Sequence, residues 1–171
     1  EMTLAAIILT YNEALHIQAC IESLRFADRI LVVDSLSEDD TVELARSAGA
    51  EVVTNPFENY AQQRNFALNY AKETGAEWVL FIDADERVSP ALAEEIESVL
   101  ANEGYSGWRL PRHNYIFGKL TLGAGWYPDY QFRLLQLGRA RYTRPVHEIA
   151  EVDGAVGNLE NPLIHYNYRD P

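Results

Sequence analysis

Asp83 and Asp85 stand one residue apart, directly after the apolar run Trp78-Val79-Leu80-Phe81-Ile82. Such a run reads as a buried strand, and on extended backbone residues i and i+2 point to the same side. Two carboxylates delivered together by a rigid element can hold a divalent cation against a diphosphate, because hard oxygen donors suit Mg²⁺ or Mn²⁺. Two more polar groups follow apolar runs in the same way. Thr10-Tyr11-Asn12-Glu13 follows Leu4 to Leu9, and Asp34 follows Arg29 to Val33. Three strand ends that each finish in polar residues are stronger grounds for a nucleotide-diphosphate site than any one of them.

The elements that must position these residues alternate over the first hundred positions. Leu15 to Leu24 repeats at helical spacing through Ile17, Cys20, Ile21 and Leu24. Ser37 and Asp40 form a capping-box-like start for a helix through Val42, Leu44, Ala45 and Ala48, which Gly49 stops. Glu51 to Thr54 is a short third strand. A helix from Asn59 to Thr74 ends at Gly75, and Glu77 to Ile82 is the fourth strand. Ser89-Pro90 opens the next helix with a cap and a first-turn proline, and Leu92, Ile96, Val99 and Leu100 are its inner stripe. This βαβαβαβα order predicts an α/β fold with a mostly parallel sheet flanked by helices, whose ligands sit at the carboxyl ends of the strands.

After residue 102 the helical pattern gives way to short strands. Trp108 to Leu110, Tyr115 to Phe117, Gln131 to Leu135, Ala140 to Thr143 and Glu148 to Val152 read as extended, and Asp153-Gly154 as a hairpin turn. Gly118, Gly123 and Gly125 break a loop long enough to cover a ligand. No linker or repeat separates the halves, so the expectation is a single domain over 1–171. In it, 1–101 is the nucleotide-binding α/β half and 102–171 a β-rich acceptor-side half.

Composition narrows the function. The 171 residues are 47% hydrophobic and 23% charged, which is ordinary for a globular chain. The net charge of -12 argues against non-specific nucleic-acid binding. All of that net negative charge lies in 1–101, where a divalent cation would suit an anionic ligand; the competing reading is a solvated acidic face that keeps the protein soluble. The single cysteine excludes an internal disulfide, and Cys20, among Ile17, Ile21 and Leu24, reads as a buried inert thiol. No signal peptide and no apolar run of membrane-spanning length is seen, so the cytoplasm is the expected compartment.

Familiar nucleotide motifs are missing. There is no G-x-G-x-x-G after the first strand, no G-x-x-x-x-G-K-[ST] and no G-x-S-x-G elbow. A diphosphate would have to be neutralised by a metal and arginine, not by a glycine loop.

The ordered series Ile8-Leu9-Thr10-Tyr11-Asn12-Glu13, Val32-Val33-Asp34-Ser35-Leu36-Ser37-Glu38-Asp39 with Thr41, Gln63-Arg64-Asn65-Phe66-Ala67 and Asp83-Ala84-Asp85-Glu86 resembles family 2 glycosyltransferases of the GT-A fold. Within that family it is similar to the small bacterial group related to lipopolysaccharide-core β-1,4-glucosyltransferases. That likeness rests on Trp126-Tyr127-Pro128-Asp129-Tyr130-Gln131-Phe132-Arg133-Leu134 and Val146-His147-Glu148. The resemblance covers nearly the whole chain. It departs at Leu36, where the family most often has glycine.

The resemblance implies roles for matching residues. Thr10, Tyr11 and Glu13 would line the base and ribose pocket, and Asp34 would accept a hydrogen bond from the base. The competing readings are strand-end packing for Tyr11 and a turn or helix cap for Asp34. Arg64 would face the diphosphate, against the alternative of a surface ion pair. Asp85 would coordinate Mg²⁺ or Mn²⁺, with Asp83 on the ribose or reaching the metal through water. Glu86 reads equally as a surface residue. Asp129 would be the base that accepts the proton of the acceptor hydroxyl; its competing role is a Pro-Asp turn. His147 would complete the metal shell or contact phosphate, and Glu148 would serve the acceptor. Arg133 would anchor Asp129 or a phosphate. Trp108 and Trp126 are candidates for sugar stacking or for core packing.

The implied reaction is inverting transfer of a hexose from a nucleotide-diphospho-sugar to a hydroxyl of a cell-envelope glycan or lipid-linked core saccharide. UDP-glucose is the expected donor. A lipid-linked acceptor would bring peripheral contact with the inner face of the cytoplasmic membrane. Two competitors are a sugar-nucleotide nucleotidyltransferase and a non-catalytic nucleotide- or sugar-binding module. The first normally carries a glycine-rich, basic activation loop after the first strand, which residues 10–16 do not offer.

Overall fold

A computed structural model describes residues 3–102, 104–116, 119–121, 129–143 and 149–166. Its core is a sheet whose strand path is β3-β2-β1-β4-β8-β6-β12-β5. The first four strands on the path are parallel: β3 (Glu51–Thr54), β2 (Arg29–Asp34), β1 (Leu4–Thr10) and β4 (Trp78–Asp83). Each is apolar on both faces because each face is covered. Leu4, Ala6 and Ile8 of β1 pack into one core with α1 (Ile17–Ser23), α2 (Thr41–Ser47) and α4 (Pro90–Leu100). Ala5 and Ile7 pack into the other, against α3 (Tyr60–Glu73) and Tyr142 of β9.

Local chemistry sets the helix starts. The side chain of Asn59 accepts from the Gln62 amide at the start of α3, and Ser89 accepts from the Leu92 amide ahead of Pro90. Each such cap contributes about 1 kcal/mol. The expected capping box at Ser37 and Asp40 is not formed. The α2 helix begins at Thr41, its N-cap Asp40 makes no side-chain cap, and the Ser37 hydroxyl is drawn to Asp34 instead. The Thr41 amide is met by Asp39.

The β-rich part continues the same sheet and turns it antiparallel. β8 (Asp129–Gln136) pairs with β4, so that Leu80 faces Leu134, and also with β6 (Gly107–Ile116). β12 (Leu163–Tyr166) lies parallel to β6, and the two-residue β5 (Glu86–Arg87) pairs with β12. β5 follows β4 after only Ala84 and Asp85, yet it ends the strand path four positions away. The sheet must therefore curl back on itself around the Asp83–Glu86 turn. Off this path, β7 (Lys119–Thr121) and β11 (Val156–Asn158) each pair with β6.

One irregularity matters for the site. Phe132 pairs with Arg109 and Leu134 with Trp108, which leaves Arg133 as the extra residue of a β-bulge. A bulge re-aims side chains. Phe132 packs toward the α3 core and Leu134 toward the opposite one, and Arg133 is turned to the curled turn between β4 and β5.

β9 (Ala140–Thr143) and β10 (Ile149–Val152) form a separate antiparallel pair. Asp153-Gly154 does not close a hairpin, because β10 and β11 pair with different strands. Gly154 instead has φ +123 and lies where a Cβ would collide with the Ser106 side chain. No helix among the described residues is long and apolar enough to cross a membrane.

Candidate active site

A cavity of about 840 Å³ opens at the carboxyl ends of β1 and β4. The parallel register aligns Thr10 with Asp34 and Leu9 with Asp83, so three strand ends finish level with one another. Of the residues expected to bind the donor, Thr10, Tyr11, Glu13, Arg64 and Asp83 line this cavity, as does Asp85. Tyr11 is 54% exposed and open to stacking. The Arg64 guanidinium lies over the rings of Phe81, 4.9 Å from its centroid, and of Tyr142, at 5.5 Å. Arg64 is thus held on the α3 side of the Asp83 strand end.

Asp34 is fully buried and is not among the cavity-lining residues. Its carboxylate accepts from the Thr10 hydroxyl at 2.6 Å and from the amide and hydroxyl of Ser37 at 2.7 and 2.6 Å. Here Asp34 joins the first two strand ends and the turn after β2. Asn12 ties the two loops from above: its side-chain oxygen accepts from the Glu38 amide, and its own amide donates to Ser37. Asn12 has φ +54 and Leu36 φ +62. The left-handed region is natural for asparagine and costly for leucine. The Leu36 departure therefore falls where glycine would be unstrained.

The Asp83-Ala84-Asp85-Glu86 turn is held from below by charge. Glu86 is not a surface residue; it is wholly buried. Its carboxylate takes both Arg133 nitrogens, at 2.6 and 3.1 Å, and accepts from the Asp83 amide at 2.8 Å. Arg133 also donates to Phe81 O and lies 3.3 Å from Asp83 Oδ2. Arg133 therefore anchors the acidic turn, not Asp129. Burial opposes its charge, but Glu86 and Asp83 outweigh burial and hold the guanidinium above its ordinary range. Arg87 closes the turn by donating to the Ala84 and Glu86 carbonyls.

Asp85 is met from β12. His165 Nε2 lies 2.9 Å from Asp85 Oδ2, and His165 Nδ1 lies 2.9 Å from Asn114 Oδ1. Burial favours the neutral form of Asp85. The His165 hydrogen bond and the pull of His165 and Arg112 overcome it, leaving the carboxyl below its ordinary range. Asp85 is thus an ionised oxygen donor at neutral pH. Cys20 is buried beneath the turn, its thiol 3.6 Å from Asp83 O and its pKa pushed far up by burial.

The two cavity-facing carboxylates fit a hard divalent cation that draws its remaining ligands from water and a diphosphate. Among the described residues, no group of three His, Cys, Asp or Glu side chains is gathered as a ready cage. His147, Glu148 and Trp126 lie outside the described residues. Asp129 opens β8, exposed, two residues from the cavity-lining Gln131. Trp108 is buried against Tyr105, with ring centroids 4.5 Å apart, and belongs to the core.

The sequence model of Glycosyl transferase family 2 matches residues 5–143. The chain belongs to this family. A similar relative is the lipopolysaccharide core biosynthesis glycosyltransferase LpsC of Rhizobium meliloti, 34% identical over 97% of this chain. The family 2 chain spans 64% of that relative's length. Among solved structures, S. aureus TarS in complex with UDP-GlcNAc is similar over 99% of this chain and 60% of its own, with TM-score 0.69 and 15% identity. Glucosyl-3-phosphoglycerate synthase from Mycobacterium tuberculosis, in complex with Mn²⁺, UDP and glucosyl-3-phosphoglycerate, is 24% identical with TM-score 0.54. That likeness covers 68% of the family 2 chain and 45% of the synthase. At these identities the likeness shows the fold, GT-A.

From the residue pattern His165 reads as a core or acceptor-side residue; the structure sets it against Asp85, and buries Glu86 where a surface position was the competing reading. The signal for Glu86 was its place directly after two acids at the end of a buried strand. His165 carried no comparable signal, since only the β12–β5 pairing brings it to Asp85.

Proposed function

We propose that this chain binds a nucleotide-diphospho-sugar and catalyses inverting transfer of its hexose to an acceptor hydroxyl. The observation that carries this reading is the single cavity that gathers Tyr11, Arg64, Asp83 and Asp85 at the carboxyl ends of the parallel strands. The donor is a UDP-sugar, with UDP-glucose the first choice. The acceptor is a lipopolysaccharide-core or other envelope saccharide, reached at the inner face of the cytoplasmic membrane when it is lipid-linked. LpsC, TarS and the mycobacterial synthase support this by the names and ligands they carry.

In this reading Tyr11 stacks on the base, and Asp83 takes the ribose or a metal-bound water. Asp85 would hold Mg²⁺ or Mn²⁺, and His147 is the candidate further ligand. The bound cation would neutralise the diphosphate and stabilise it as a leaving group. Arg64 donates to phosphate oxygens as their charge grows. Asp129, two residues before the cavity-lining Gln131, accepts the proton of the acceptor hydroxyl while that oxygen attacks the anomeric carbon. The bond from that carbon to the phosphate oxygen breaks on the opposite face, so an α-linked donor gives a β-linked product.

Asp129→Asn tests the division of labour. It should bind donor as the wild type does and lose transfer by roughly 100-fold or more, the usual scale for a general base. Unchanged transfer would remove Asp129 from the role. Retained binding with no transfer even in wild type would favour a non-catalytic module.

A further inference from the structure

Three arginines line the cavity, Arg64, Arg112 and Arg133, and the donor-binding reading does not use Arg112. It lines the cavity beside Asp83, Asp85, Gln131 and Arg133, and its side chain is 23% exposed. Its one ion pair among the described residues is with Glu86, Nε to Oε2 at 3.4 Å, without hydrogen-bond geometry. Both oxygens of Glu86 are already engaged by Arg133 at shorter range. Glu86 is therefore largely neutralised by Arg133, and Arg112, which shares its charge with Asp85, keeps hydrogen-bond donors to offer to the cavity.

Its position says on which side. Arg112 stands directly opposite Asp129 in the β6–β8 ladder. Directly opposed residues of an antiparallel pair leave the same face with neighbouring side chains. Of the other cavity guanidiniums, Arg133 is taken up by Glu86 and Asp83, which leaves Arg64, held over Phe81 and Tyr142 on the α3 side. The two arginines thus come from different elements, α3 and β6, and Arg112 is the one beside the proposed base.

We propose that Arg112 binds an anionic group of the acceptor, a phosphate or carboxylate close to the hydroxyl that is glycosylated. A guanidinium offers two parallel donors to such an oxyanion, which would fix the hydroxyl near Asp129. This rests on the transferase reading, in which Asp129 marks the acceptor side.

The test separates the two. UDP is titrated by calorimetry, with Mg²⁺, into wild type, Arg112→Gln and Arg112→Lys; inorganic phosphate is then titrated into each UDP-saturated protein. The expected result is UDP affinity within about twofold of wild type in both variants, and phosphate affinity reduced roughly 10- to 100-fold in Arg112→Gln, less in Arg112→Lys. Unchanged phosphate binding in Arg112→Gln, with UDP bound normally, overturns this inference and leaves the transferase reading standing. Loss of UDP affinity parallel to phosphate assigns Arg112 to the donor diphosphate and also overturns it. No UDP binding to wild type removes the transferase reading and this inference with it. If Arg112→Gln does not fold, the arginine side-chain NMR spectrum of the UDP-bound wild type decides. Phosphate should shift the Nε resonance that Arg112→Lys deletes; a resonance that stays still overturns the proposal.

Discussion

Arg133 grips Glu86 through two nitrogens, at 2.6 and 3.1 Å, with both side chains almost wholly shielded from water. Glu86 in turn accepts from the amide of Asp83. A buried ion pair thereby fixes the backbone that presents the cavity-facing acids. Such pairs add little stability over an apolar replacement, but losing one partner is expensive.

Arg133→Met should therefore destabilise the fold by about 3–5 kcal/mol, because Glu86 would be left charged and buried. The double change Arg133→Met with Glu86→Met should recover most of that loss. Urea unfolding of the wild type and both variants checks it. A double variant no more stable than Arg133→Met would contradict the pairing.

His165 should matter to the metal through Asp85. A ligand carboxylate loses orientation when its hydrogen-bond partner is removed, typically at a cost of 10- to 100-fold in metal affinity. His165→Ala should weaken Mn²⁺ binding in the presence of UDP by roughly that factor, read by paramagnetic resonance of free Mn²⁺. Mn²⁺ affinity equal to wild type would mean that the Asp85–His165 contact serves only the fold.

Leu36 carries φ +62 and is 56% exposed, so it has strain and little burial to lose. The left-handed conformation costs a non-glycine residue about 1–2 kcal/mol. Glycine's extra freedom in the unfolded chain offsets roughly 0.5–1 kcal/mol of the relief. Leu36→Gly should thus stabilise the protein by about 0.5–1 kcal/mol in denaturant unfolding. A lower midpoint at the same slope would show that Leu36 makes contacts worth more than its strain.

Much of the α/β half was legible in the sequence because its strands are apolar on both faces and its helices carry an inner stripe. Ser89 caps where the pattern placed a cap, and Asn59 caps the helix that the pattern starts there. Ser37 misled, since a hydroxyl three residues from Asp34 can serve the carboxylate as readily as a helix end, and Asp34 won. The site's support was hidden for a different reason. Glu86, Arg133 and His165 are charged or polar residues far apart in the chain, and local pattern assigns such residues to the surface. Their burial depends on β8 inserting between β4 and β6, on the bulge at Arg133, and on β12 delivering His165 across the curled sheet. None of these is written in a local period.

In the proposed function the cavity at the strand ends receives a nucleoside diphosphate with a divalent cation on Asp85. Calorimetry of UDP, GDP, ADP and CMP with Mn²⁺ and with EDTA, on wild type and Asp85→Ala, tests it most directly. UDP should bind wild type in Mn²⁺, and EDTA or Asp85→Ala should abolish the binding. UDP binding that is indifferent to both, or no nucleotide binding with Mn²⁺ present, would contradict it.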